Sequence, residues 1–389
     1  MHDDSIITSI FLIFTGAALF ATLALYARQA MLVAYLLLGI VLGPSVLGLV
    51  SDARLISELA HVGIIFLLFL LGLDLYPQKL VTLFRETTVV TLLSALIFGG
   101  IGFGVAHIYG LSRFDSALVG LATTFSSTII GIKLLPTTVL HHRHTGELVI
   151  SVLLLQDLIA IITLMVLLGL EKGDLSITEF GLLIAALPTV AIFAFVVERF
   201  LLLKLFLRFD RIQEYVFLLA IGWCLGVAHL AKTMGLSYEI GAFIAGVALA
   251  SSPISRFIAE SLKPLRDFFL VMFFFALGAG FNIELALQVF WPALVLAVLV
   301  MILKPVVFRT LLVRAAETNS LAWEIGVRLG QMSEFSLLMV FVALQSGLMS
   351  QRAGSLIQLA TILTFVASSY LIVFRYPTPI AVSDRLRRD

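Results

Sequence analysis

Residues Val149–Leu170 read VISVLLLQDLIAIITLMVLLGL, and this stretch decides the fold class. Its 22 residues carry a single charge, Asp157, with Gln156 just before it. A helix that crosses a bilayer needs about 20 apolar residues, so the pair falls near the middle of such a span. A carboxylate at that depth costs roughly 2.5–3.5 kcal/mol on the insertion scale, which implies a partner, a wet cavity, or a proton taken up and released. A fixed lysine that neutralises the acid for packing alone is the competing reading. It is disfavoured because a buried ion pair seldom stabilises a fold relative to apolar side chains. An acid able to hold either a proton or a cation is the minimum equipment of an ion/proton exchanger.

The rest of the chain has the same character. Apolar residues make up 61% of 389 and charged residues 13%, against about 25% charged in ordinary soluble domains. This is the composition of an all-α, polytopic membrane protein. A net charge of +1 gives no reason to expect nucleic acid, and one cysteine, Cys224, excludes a disulfide framework or a multi-cysteine metal site. The start, MHDDSII, lacks the basic region of a signal peptide, so the first apolar run is expected to be a retained helix.

Apolar runs between polar breaks predict thirteen spans, at 5–25, 31–50, 60–76, 87–109, 114–135, 148–170, 177–197, 213–231, 238–251, 268–281, 285–308, 322–348 and 354–374. Alternate loops, counting Lys133 at the end of span five with the loop that follows it, then hold 18 Lys and Arg residues on one side and 5 on the other, with Lys304 and Arg328 deeper inside spans. The positive-inside rule places the amino terminus outside and the carboxyl terminus in the cytoplasm. The segment Pro253–Asp267 mixes charges with Phe257, Ile258, Leu262 and Leu265 and reads as an amphipathic surface helix.

Polar groups inside spans mark candidate sites. The amide of Gln156 can coordinate a cation, orient the carboxylate, or bond to a neighbouring helix. Lys304, followed by Pro305, either snorkels toward the cytoplasmic interface or forms a switchable salt bridge to Asp157. Span five carries TTFSSTII, with hydroxyls at Thr123, Thr124, Ser126, Ser127 and Thr128. Such side chains compete with the backbone for hydrogen bonds and weaken a helix. Span twelve carries IGVRLGQMSEFSLL, where Gly326, Gly330, Gln331, Ser333 and Glu334 again soften mid-span. Arg328 there can pair with Glu324 one turn back or with Glu334. Interrupted spans five and twelve, with the acid on span six and the lysine on span eleven, predict an inverted repeat whose broken helices cross at the midplane. His141, His142 and His144 read as a solvated loop, with a metal or pH-sensing role as the alternative. FGGIGFG at 98–104 lies inside span four and reads as helix packing, and no phosphate loop, dinucleotide fingerprint or nucleophile motif occurs.

Six motifs, in order and spacing, carry a family resemblance: LLGIVLGPSVLGL (37–49), GIIFLLFLLGLDL (63–75), SSTII (126–130), LLLQDLIAI (153–161), GAFIAGVALASSP (241–253) and GQMSEFSLL (330–338). The chain resembles the membrane domain of Kef-type potassium/proton antiporters, in the monovalent cation:proton antiporter-2 group. The resemblance implies a sodium/proton-antiporter-like fold, a homodimer, and a mobile core that carries the ion past a scaffold. It partitions the chain into scaffold helices (1–86), core helices (87–170), a linker helix (171–212), further scaffold (213–284), further core (285–375) and a cytoplasmic tail (376–389). It further implies ion or proton binding at Asp157, with Gln156 fitting the potassium-handling branch, Thr124, Ser126 and Ser127 as hydroxyls of the broken helix, and Lys304 as the family's lysine. Glu334, Gln331, Ser333 and Arg328 remain secondary intramembrane polar positions. Kef proteins normally continue into a cytosolic nucleotide-binding domain. Here fifteen residues, Arg375–Asp389, follow the last expected span, so that control is truncated, lacking, or supplied by another subunit.

The expectation is therefore a secondary antiporter of the bacterial inner membrane, exchanging a monovalent cation, K⁺ before Na⁺, for H⁺, with no cofactor and no enzymatic centre. The rival classes are a cation channel, which wants a continuous polar pore, and a non-transporting sensor or scaffold that kept the fold.

Overall fold

The structure is a computed structural model, and it describes residues 3–50, 53–74, 77–135, 144–170, 177–209, 211–250, 252 and 254–378. His141, His142 and the tail arginines Arg385, Arg387 and Arg388 lie outside the described residues, as does the side chain of Asp74. The helices are, in chain order, α1 (Asp3–Tyr26), α2 (Met31–Leu42), α3 (Ala53–Asp74), α4 (Pro77–Ile108), α5 (Arg113–Thr124), α6 (Thr128–Lys133), α7 (His144–Leu170) and α8 (Ile177–Val197). After a π-turn at Glu198–Leu202 come α9 (Leu203–Phe209), α10 (Gln213–Thr233), α11 (Tyr238–Ala250), α12 (Ser255–Ser261), α13 (Lys263–Ala279) and α14 (Ile283–Gln288). The chain closes with α15 (Phe290–Arg314), α16 (Asn319–Arg328), α17 (Glu334–Gln345) and α18 (Gln351–Arg375).

Six stretches among the described residues are long and apolar enough to cross a membrane: Ile7–Tyr26, Thr87–Ile108, His144–Leu164, Gln213–Thr233, Phe290–Arg314 and Gln351–Arg375. Shorter apolar helices cover Met31–Leu42, His61–Leu73, Tyr238–Ala250 and Glu334–Gln345. Spans five and twelve are each two helices, α5 with α6 and α16 with α17, as their hydroxyl- and glycine-rich centres predict. The helix α15, in contrast, runs unbroken through Pro305.

Contacts divide the chain into two compact units. The first comprises residues 1–51, 82–167 and 277–389 and holds every candidate site residue. Its apolar centre gathers Val90 and Phe98 of α4, Val149, Val152 and Leu153 of α7, Phe308 of α15, and Ile325 and Leu329 at the end of α16. Helices α4 and α5 approach closely because small residues face each other, as the glycine-rich 98–104 stretch predicts. A β-carbon on Gly120 would lie 2.6 Å from the Gly99 carbonyl oxygen, so a larger residue there would force the helices apart.

The second unit comprises residues 52–81 and 168–276. Its core pair is α3 against α11, where a β-carbon on Gly72 would lie 2.5 Å from the Phe243 carbonyl oxygen. Trp223 of α10 donates its indole N–H to the Ala245 carbonyl at 3.1 Å, which seats α10 on α11. The stretch 253–267, expected as a surface helix, holds α12 and the start of α13, with Ile258 and Leu262 buried while Glu260 and Lys263 are exposed.

Candidate functional site

A break in a buried helix strands backbone donors and acceptors where water cannot reach, so side chains must satisfy them. At the first break α5 ends at Thr124 and Phe125 turns extended (φ −83°, ψ 148°). Ser127 restarts the chain as α6 by accepting the Ile130 N–H on its Oγ at 3.1 Å. Gln156 reaches across from α7. Its Oε1 accepts the Ser126 N–H at 2.9 Å and its Nε2 donates to the Thr124 carbonyl at 3.2 Å. A carboxamide offers one acceptor and a donor pair in a plane, much as a peptide group does. Gln156 thus fills the gap where helical hydrogen bonding stops.

The second break is capped from within. Ser333 Oγ accepts the Phe335 N–H at 3.1 Å, and Ser336 Oγ accepts the Ser333 N–H at 3.4 Å while donating to the Ala122 carbonyl at 2.6 Å. Met332 N–H is taken by Thr364 Oγ1 at 3.1 Å. Gln331 donates its amide to the Ser127 carbonyl at 3.4 Å and accepts from Ser368 Oγ at 2.9 Å. Ser126 Oγ donates to the Leu329 carbonyl at 2.9 Å. The two breaks therefore abut.

Lys304 joins them. It is fully buried, and its ammonium donates to the Phe125 carbonyl at 2.6 Å, the Gln331 carbonyl at 3.0 Å and Ser126 Oγ at 3.3 Å. Those contacts use all of an ammonium's donors. The Phe98 ring lies 5.2 Å from Nζ, within cation–π range. The carboxyl ends of α5 and α16, each a partial negative charge, border the same point, so a cation there is favoured.

Asp157 is 1% exposed. Thr128 Oγ1 sits 3.2 Å from Oδ1 and 3.1 Å from Oδ2, one donor shared between both carboxyl oxygens. The Glu334 carboxyl stands at the start of α17, directly after the second break. Among the described contacts no ion pair joins Asp157 to Lys304, because the ammonium is spent on the carbonyls of the breaks.

The fold thus gathers Gln156, Asp157, Ser126, Ser127, Lys304, Gln331, Ser333 and Glu334 around the paired breaks. Thr124 lends its backbone carbonyl, while its hydroxyl bonds back to the Leu121 carbonyl at 2.7 Å. Arg328 faces elsewhere and pairs with Glu324 at 2.9 Å, the nearer of its expected acids. His144, the described member of the histidine cluster, bonds Glu317 at 2.8 Å. The residue missing from the sequence-derived set is Thr128. It was visible in the hydroxyl run, and its helical phase after the break is what points it at the acid.

Two interrupted helices pinned back to back beside a buried carboxyl define the class: an all-helical membrane domain built on discontinuous helices. The fold matches MjNhaP1, a sodium proton antiporter from Methanocaldococcus jannaschii, with a TM-score of 0.70 over 94% of this chain and 95% of that one at 17% identity. The family model described as "Sodium/hydrogen exchanger, transmembrane" matches residues 10–374, and the chain belongs to that family. Among curated relatives, the glutathione-regulated potassium-efflux protein KefC of Klebsiella pneumoniae is 31% identical over 93% of this chain and 59% of its own. The K(+) efflux antiporter 6 of Arabidopsis thaliana is 28% identical over 81% and 54%. The iron transporter MagA of Paramagnetospirillum magneticum is 27% identical over 88% and 79%. The Kef-type resemblance read from the motifs stands. The chain spans little more than half the length of KefC and of the plant antiporter.

Proposed function

We propose that the chain is a monovalent cation/proton antiporter domain, with K⁺ as the favoured cation. The observation that carries this reading is Asp157, buried and, among the described contacts, held by the Thr128 hydroxyl, directly beside two abutting helix breaks. One carboxyl that binds either H⁺ or a cation, never both, exchanges the two obligatorily. Thr128 orients that carboxyl and contributes an oxygen to the cation's shell, with Glu334 as the second acid of the site. Gln156, Ser126, Ser127 and Thr124 shape the surroundings of the carboxyl through the break they stabilise. Lys304 holds the breaks in the present conformation and is the cation available to Asp157 when those contacts loosen.

Support for potassium comes from the names of two relatives, a potassium-efflux protein and a K(+) efflux antiporter. Sodium is the alternative, since the fold neighbour MjNhaP1 is a sodium proton antiporter. The reading includes thirteen crossings with the amino terminus outside, a homodimer in the inner membrane, and movement of the core helices past the scaffold helices. Reconstitution into proteoliposomes tests it: cation gradients should drive proton movement, in the order of preference set by a K⁺, Rb⁺, Na⁺ and Li⁺ panel. Full exchange by Asp157→Asn overturns the mechanism, and flux that never saturates with cation favours a channel.

A further inference from the structure

Arg328 is 1% exposed and closes α16, one residue before the Leu329 carbonyl that accepts from Ser126. Neutralising Glu324 takes only part of its guanidinium: Nε donates to Glu324 Oε1 at 3.0 Å. Nη1 donates to the Leu134 carbonyl at 3.1 Å, just past the end of α6. Nη2 also donates to the Pro377 carbonyl at 3.1 Å, and the Tyr376 ring centroid lies 5.4 Å from the guanidinium carbon. Tyr376 is where α18 ends and the chain turns extended (φ −122°, ψ 157°), and Thr378 two residues on is fully buried. One planar fork therefore ties the exit of α18 to the ends of α6 and α16. A lysine in the same place would neutralise Glu324 yet lack the fixed donors for the other two directions.

From these anchors the path to the ion site is short. Leu134 is six residues from Thr128, whose hydroxyl bonds Asp157, with α6 filling the interval. Leu329 is bonded directly to Ser126. We propose that Arg328 is a positioning residue that clamps the exit segment Tyr376–Thr378 onto α6 and α16, so that displacing this segment shifts the Thr128 and Leu329 contacts around Asp157. The consequence for transport rests on the antiport reading; the mechanical coupling does not.

The test compares Arg328→Lys, Tyr376→Ala and Tyr376→Phe in the full chain. Apparent cation KM and turnover are read in proteoliposomes, and amide hydrogen exchange is read in parallel. Tyr376→Ala and Arg328→Lys should raise KM about threefold or more while turnover at saturation changes less, as coupling through a packed network of this kind produces. Both should speed exchange across 126–134 with 213–250 unchanged, and Tyr376→Phe should restore wild-type behaviour. Exchange that speeds only within 370–378, with KM unmoved, overturns the clamp. If the wild-type chain moves no ions, the antiport reading fails, and exchange across 126–134 alone then upholds or overturns the coupling. Should Arg328→Lys not fold, Tyr376→Ala carries the comparison.

Discussion

Lys304 donates a 2.6 Å hydrogen bond to the carbonyl of Phe125, 179 residues earlier in the chain. Its other bonds reach Gln331 and Ser126, so its charge lies between the ends of two helices. Lys304→Met keeps the stem and removes every one of these bonds, stranding two buried carbonyls. Leaving a buried group unsatisfied costs ~1–3 kcal/mol, so the variant should lose about 2–5 kcal/mol and its thermal midpoint in detergent should drop clearly. An unchanged midpoint would mean that the lysine matters only as a partner for Asp157.

Gln156 invites the reverse expectation. Both ends of its amide are bound to the backbone of the break. Gln156→Met is close in volume and removes both bonds, and it should lower stability by about 2–4 kcal/mol. The order of preference among K⁺, Rb⁺, Na⁺ and Li⁺ should stay the same in the fraction that folds. A reordered panel at unchanged stability would make Gln156 an ion ligand and defeat the backbone role.

The antiport reading gives competition at Asp157 a definite sign with pH. On that reading protons occupy the site at low pH, so apparent cation KM should fall as pH rises. The slope should approach tenfold per pH unit, as mass action requires for one competing proton. KM should level off once the carboxyl is ionised. A KM independent of pH across the active range would separate the two binding events and remove the basis for exchange at one carboxyl.

Gly326 faces Pro305 directly: a β-carbon there would lie 2.7 Å from the Pro305 carbonyl oxygen and 2.9 Å from its Cα. Neither atom can swing aside as a side-chain tip would. Gly326→Val should cost about 1–3 kcal/mol through overpacking. It should also raise cation KM, because α16 leads straight into the second break. A variant as stable and active as wild type would show that α15 and α16 have slack between them.

Much of this was legible in the sequence, for identifiable reasons. A hydroxyl run in an apolar span announces a weak helix, and α5 and α6 separate there. An arginine four residues after a glutamate announces an ion pair, and Arg328 makes it with Glu324. The partners of Lys304 were less accessible. Opposite charge suggests Asp157, whereas backbone carbonyls at helix ends carry no sequence signature and yet bind the ammonium. Thr128 was one of five similar hydroxyls, and only the turn of α6 decides which of them meets the acid. The anchors of Arg328 at Leu134 and Pro377 are backbone atoms 194 and 49 residues away, beyond any local pattern.

The stitching of the breaks has a mechanical consequence. Seven hydrogen bonds from Gln156, Lys304, Ser126 and Gln331 span or fill them. At about 1 kcal/mol net apiece, opening the set would cost as much as unfolding many small domains. A discontinuity in a helix is commonly taken for a hinge, but this one behaves as a welded joint. Asp157 follows Gln156 directly on α7, so the acid sits one residue from a side chain that bridges the first of these joints.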